Sequence, residues 1–248
     1  MDDAQMSLTG HLEELRGRLL RALIAVGIGF LAAYGFSEQI VVFLQRPLKE
    51  VSPEVSLNYF SLMEPFLTHL KASFFAGLLL ALPVIFYQLY RFIAPGLLTR
   101  ERRYVVPFVV FGSVFFLAGA TLAFFGVLPI AVQFFLHFDP SLVATLNVGK
   151  FLGFCIRLMI AFGVVFQLPL LVFVLARLGL VRYEMLARNR RYALLAAFIF
   201  GAVLTPPDPV TQTLMAIPLL LMYELSVWVA RVFYRVPERP EEVSGVAT

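Results

Sequence analysis

Charged residues cut this chain into long apolar stretches. Breaking the sequence at every Asp, Glu, Lys and Arg leaves long uncharged runs at 22–37, 72–90, 104–138, 158–176, 192–207 and 209–223. A helix needs roughly 20 mostly apolar residues to cross a bilayer core, with about 17–25 the usual range. The run at 104–138 is too long for one helix and too short for two with a turn, so Pro129 is expected to end that span and leave 130–138 at the interface. Six transmembrane helices are therefore predicted. The fifth, before Thr205-Pro206-Pro207-Asp208, and the sixth, carrying Gln212 and Glu224, both look short. Short spans are accommodated by bilayer thinning or by packing on neighbours. One thin side of the bundle is thus expected, with the 205–209 turn drawn below the outer surface. Prolines 83, 169 and 218 should kink their spans, and Phe43, Leu44 and Leu48 around Pro47 predict an amphipathic outer cap.

Composition agrees with the pattern. Of the 248 residues, 60% are apolar and only 15% charged, against about 45–50% and about 25% in soluble domains. Mean hydropathy is +0.85. One cysteine, Cys155, and three histidines exclude a disulfide framework and a Cys-rich zinc module. Fifteen of the 20 Lys and Arg residues fall in the N-terminal segment, the second and fourth connections and the tail, against four on the opposite side. Positive charge stays cytoplasmic, so both termini are expected inside the cell. The net charge of +4 then reflects topology and anionic lipid, with no nucleic acid implied. Arg16, Arg18 and Arg21 before an apolar run also resemble a cleavable signal peptide, but Ala33-Tyr34-Gly35 is a poor cleavage site and five further spans follow. No internal repeat is evident. The reading is an all-α polytopic membrane protein with a single domain over 1–236 and a disordered cytoplasmic tail over 237–248.

The N-terminal helix places Leu8, Leu12, Leu15 and Leu19 on one face and His11, Glu14, Arg18 and Arg21 on another. The apolar stripe suits the membrane surface and presents Glu14 to the cytoplasm. In the plain reading Glu14 and Arg18 form an i,i+4 surface pair worth a few tenths of a kcal/mol. Glu101 stands among Arg100, Arg102 and Arg103 after Thr99, where a carboxylate in a first helical turn favours the helix dipole. Two acids on an Arg-rich face are nonetheless unusual. A carboxylate grips guanidinium by two parallel hydrogen bonds, which an ammonium cannot reproduce, so the pair suits a ligand carrying two arginines.

Polar groups inside a membrane are costly and are functional candidates by default. Arg157, close to Lys150, is expected to snorkel to the outer interface. Gln167 lies about 15 Å further along, near mid-membrane, and Glu224 about 10 Å inside the cytoplasmic edge. Each suits an interhelical hydrogen bond, typically under about 2 kcal/mol, as well as a functional role, and both readings stay open. No G-x-x-x-x-G-K-[ST] phosphate loop is present. His11, His69 and His137 fall outside the span cores, and no metal-ligand spacing is seen. Neither catalysis nor a cofactor is expected.

Six stretches carry a family resemblance: H-L-E-E-L-R-G-R at 11–18, F-I-A-P-G-L at 92–97, E-R-R at 101–103, A-F-G-V-V-F-Q-L-P at 161–169, L-T-P-P-D at 204–208 and Q-T-L-M-A-I-P at 212–218. In this order and at these helix ends the chain resembles TatC, the multi-spanning receptor of the twin-arginine protein translocase, from about Leu8 to Tyr234. The resemblance implies a bacterial inner-membrane receptor for signal peptides bearing two consecutive arginines on folded cargo. It assigns the arginine contacts to Glu14 and Glu101, with Arg16, Phe92, Pro95, Arg102 and Arg103 on the same surface and Pro47 in the outer cap. Asp208 and Gln212 match the fifth-to-sixth turn and the helix after it, where single-span partners of the TatA and TatB types dock. Further copies of the chain and membrane lipid are the other implied partners, and the proton gradient the implied energy source. The family commonly has glutamate where this chain has Gln167. Glutamine keeps a polar patch there but carries no exchangeable charge, which leaves Glu224 as the candidate proton carrier. The rival reading is a proton-coupled secondary transporter using Glu224, Gln167 and Arg157, which predicts a midplane site and usually an internal repeat. An intramembrane protease lacks a base within the spans.

Overall fold

The structure, a computed structural model, describes residues 8–93, 105–139, 144–204 and 209–234. Pro95, Glu101, Arg102, Arg103, Asp208 and the 237–248 tail lie outside the described residues. Helix α1 (Leu8–Tyr34) turns into two short helices, α2 (Ser37–Leu44) and α3 (Arg46–Val51), before α4 (Glu64–Ile93) crosses back. The next pass is α5 (Val105–Leu122), a π turn (Ala123–Val127) and α6 (Leu128–Leu136). Then come α7 (Val148–Val165) with α8 (Leu168–Arg177), the short α9 (Tyr183–Arg188), α10 (Arg190–Leu204) and α11 (Pro209–Phe233).

Contacts set the direction of each pass. Glycines let α1 and α4 touch backbone to backbone at Gly29 and Gly77, while Arg18 and Arg21 near the start of α1 act on Tyr87 near the end of α4. Tyr90 of α4 packs on Phe108 of α5, and Gly119 of α5 abuts Phe162 of α7. Arg190 pairs with Glu224, and Gln212 with the Phe198 carbonyl, so α10 and α11 are antiparallel. Phe173 of α8 meets Phe233 of α11, which places those two ends together. Successive passes therefore alternate. The start of α1 and the end of α11 share an arginine-rich basic end, and α2 and α3 cover the opposite, capped end.

Five stretches are long and apolar enough to cross a membrane among the described residues: Leu12–Tyr34, Glu64–Ile93, Val105–Leu136, Val148–Arg177 and Thr211–Phe233. Helix α10 completes the alternation with 15 residues, about 22 Å against a hydrocarbon core of about 30 Å. The fifth helix is short, as the sequence predicts. The sixth is not. Helix α11 runs for 25 residues, about 37 Å, because a glutamate breaks an uncharged run without breaking a helix; Glu224 pairs with Arg190. The expectation at Pro129 also fails. Helix continues from the π turn into α6, with Pro129 in the first turn of α6. The wider π winding changes which carbonyl faces which N–H, and a proline at a helix start has no N–H to lose.

The main core packs Phe124, Leu128, Leu152, Cys155, Leu158, Phe162 and Met215 together with Leu44 and Leu48 from the cap. Pro47 and Leu48 are buried in α3, and the Phe43 ring stacks on Phe124 with centroids 4.7 Å apart. The amphipathic cap read around Pro47 is thus a pair of helices clamped onto the π turn. A two-residue parallel pairing, Leu57 with Leu146 and Asn58 with Asn147, joins two connections at this end. Pro169 falls in the first turn of α8, just after the break from α7, where its missing N–H is tolerated, whereas Pro83 and Pro218 lie inside continuous helices. Helix α8 ends on Gly179 at φ 72°, where Leu180 N–H bonds Leu175 O at 2.9 Å and Gly179 N–H bonds Ala176 O at 3.1 Å. That double closure needs a left-handed residue, which glycine supplies without a steric cost.

Candidate functional site

At the basic end, Glu14 and Arg18 project from one face of α1 toward the last turns of α4. The Arg18 Nε donates to Glu14 Oε1 at 2.9 Å, and its Nη2 reaches the same oxygen. Their side chains are only 17% and 12% exposed, so this is not the solvated surface pair that i,i+4 spacing alone predicts. Partial burial raises the stakes of leaving either charge unmatched. Glu14 Oε2 is buried and has no hydrogen-bond partner among the described residues. Arg91 donates to Tyr87 Oη at 3.1 Å and lies within electrostatic reach of Glu14. Carboxylate, guanidinium and phenol from two helices thus meet in one cluster. Phe92 adjoins it in sequence and is half-buried. Arg16 is exposed and, two residues from both Glu14 and Arg18, occupies the other face of α1, so the structure does not bring it to the cluster.

The last turn of α4 also borders an apolar groove of about 490 Å³. Tyr90 and Ile93 form one wall, with Phe108 and Phe115 of α5, Leu170 of α8 and Trp228 of α11 among the others. The Arg177 guanidinium lies 5.7 Å from the centroids of both Phe173 and Phe233 at its rim. A polar cluster that can meet cations and a slot that can take an aliphatic segment therefore adjoin through one helix end.

Gln167 sits at the break between α7 and α8. Its backbone N–H bonds Val164 O at 3.0 Å, leaving Gly163 O without its usual i+4 donor. The side chain repairs this: Nε2 donates to Gly163 O at 3.2 Å and across to Gly112 O of α5 at 3.3 Å. Of the two readings the sequence left open, this geometry supplies the interhelical hydrogen bond. Gln167 Oε1 is buried with no hydrogen-bond partner among the described residues. Gln212 Nε2 donates to Phe198 O at 2.8 Å. Glu224 takes Arg190 through both carboxylate oxygens, at 2.7 and 2.8 Å, with both side chains about half exposed. Gln212 and Glu224 hence pin the two ends of the α10–α11 hairpin. Arg157 is exposed.

One residue escaped the sequence reading. Glu64, the first residue of α4, accepts Phe60 N–H on Oε2 and Gly149 N–H on Oε1, each at 3.0 Å. It also bonds the Asn147 side chain. An acid followed by proline and an apolar run marks a helix start, but its partners on the next outer connection lie beyond any local pattern.

Apolar passes of alternating direction, with polar side chains engaged in helix–helix pairing, define a polytopic α-helical membrane protein. A family model described as Sec-independent protein translocase protein (TatC) matches residues 10–218. The chain is 43% identical over 243 residues to the protein of that name from Desulforapulum autotrophicum, covering 97% of this chain and 90% of the relative. It is 45% identical over 226 residues to that from Magnetococcus marinus, covering 90% and 83%. A crystal structure of a twin-arginine translocase receptor, TatC, superposes with a TM-score of 0.81 at 39% identity, covering 91% of this chain and all of the other. The chain belongs to the TatC family. It is a membrane-embedded component of the Sec-independent protein translocase, a transport subunit and not an enzyme.

Proposed function

We propose that this chain is the receptor core of a twin-arginine translocase in a bacterial cytoplasmic membrane, with both termini cytoplasmic and one membrane domain through residue 236. The observation that carries the proposal is the buried Oε2 of Glu14, without a hydrogen-bond partner among the described residues, at the end of the bundle where α4 also borders an apolar groove. The arginine pair of a signal peptide meets Glu14 and Glu101, and the apolar stretch that follows lies along the bundle. A hydrogen bond to a charged, part-buried group contributes about 1.5–3 kcal/mol, and burial of the apolar stretch supplies the rest of the affinity. The arginines supply selectivity, because lysine cannot present a planar fork to two acceptors. Phe92, Pro95, Arg102 and Arg103 shape the same surface. Arg16, on the other face of α1, acts at its edge.

Partner recruitment falls to the short α10 and its neighbours. Gln167, Gln212 and Glu224 lie on or near that side, the family resemblance adds Asp208, and single-span TatA- and TatB-type subunits assemble a passage there driven by the proton gradient. The test is binding of a fluorescent twin-arginine peptide to the purified protein. Glu14→Gln and Glu101→Gln should each weaken binding about tenfold, the order expected for loss of one charge-assisted hydrogen bond, while insertion and folding persist. Wild-type affinity in the double variant would remove the assigned site.

A further inference from the structure

A second groove, of about 480 Å³, lies between α1, α4 and α7 toward the capped end. Phe30, Phe74, Leu78, Ile156 and Ile160 make its apolar wall, and Lys71 and Arg157 both line it. Both cations are exposed, and neither has a carboxylate or hydrogen-bond partner among the described residues. Two unpaired cations on one membrane-facing groove repel each other and call for an anion.

Their depth identifies it. Helix α4 has 30 residues, about 45 Å, so it overhangs a hydrocarbon core of about 30 Å by roughly 7 Å at each end. Lys71 lies about 10 Å from the start of α4 and Arg157 about 13 Å from the start of α7, and these two starts are tied together through Glu64 and Gly149. Both Cα atoms thus sit a few ångström inside the hydrocarbon boundary, and long basic side chains snorkel outward from there. Their charged heads reach the layer of lipid phosphates, while the aromatic and aliphatic wall continues inward at acyl-chain depth.

We propose that this groove binds an anionic phospholipid of the leaflet at the capped end, its phosphate between Lys71 and Arg157 and one acyl chain along Phe30, Phe74 and Ile160. The site is separate from the polar cluster and groove of the basic end.

Native mass spectrometry of the detergent-purified full chain, titrated with phosphatidylglycerol or phosphatidylethanolamine, tests it. The wild type should retain phosphatidylglycerol about tenfold better, and Lys71→Gln with Arg157→Gln should abolish the preference. Gly153 lines the groove, and a Cβ there meets nothing within 4 Å. Gly153→Phe should therefore fill the groove and displace lipid with both cations intact, a readout that survives if the double variant fails to fold. An undiminished preference in either variant overturns the proposal. So does a double variant that keeps its lipid but loses co-purifying single-span subunits, which would assign the cations to an acidic partner helix.

Discussion

Two carboxylates, Glu64 and Glu14, sit at opposite ends of the bundle and are finished differently. Glu64 has both oxygens filled by backbone N–H groups from two connections. Backbone donors are held by the fold, so the carboxylate acts as a tie. Glu14 has one oxygen held by Arg18, a flexible side chain, and the other without a hydrogen-bond partner among the described residues. A buried acceptor with no donor costs stability, and that cost is recovered when a ligand brings a donor. The difference separates a structural acid from one poised to bind.

The comparison can be broken by substitution. Glu64→Ala should lower the thermal unfolding midpoint in detergent by on the order of 5 °C, through two orphaned N–H groups and a loosened cap. Twin-arginine peptide affinity of the folded fraction should stay at the wild-type level. Glu14→Gln should do the reverse, and equal behaviour of the two would erase the distinction. Gln167→Glu restores the residue the resemblance leads one to expect, yet it should destabilise by about 1–2 kcal/mol. A carboxylate cannot donate to the Gly112 and Gly163 carbonyls, and thermal unfolding against Gln167→Ala measures the cost. Arg18→Gln frees Glu14 for an incoming guanidinium and should tighten peptide binding by about threefold, on the order of half a kcal/mol. A loss of affinity would show that Arg18 positions Glu14 instead of competing for it. The smallest effect belongs to Arg190 and Glu224. A double-mutant cycle on stability should return well under about 1 kcal/mol, because both groups are half exposed.

Much of the fold was legible because membrane helices announce themselves by length and hydropathy. The short fifth helix, the cap at Pro47 and the break at Pro169 follow from local chemistry. The length of α11 did not, because charge-free runs stop at Glu224, although a glutamate is a good helix former and the helix runs on to Phe233. Pro129 was misjudged because it falls in the first turn of α6, where a proline has no intrahelical N–H bond to lose. At the site, i,i+4 spacing revealed the Glu14–Arg18 pair, whereas its burial depends on α4. Glu64 stayed hidden since its partner Gly149 is 85 residues away.

The π turn at Ala123–Val127 has a consequence for how this span tolerates change in length. A wide turn stores one surplus residue, so the helix faces before and after it stay in phase as though that residue were missing. Removing a single residue there would let the segment relax to ordinary winding with Phe116 and Leu128 still facing the core. The same deletion a turn or two earlier would swing everything downstream by about 100°. This stretch is therefore the place where the third pass can shorten without unlatching the lid it carries.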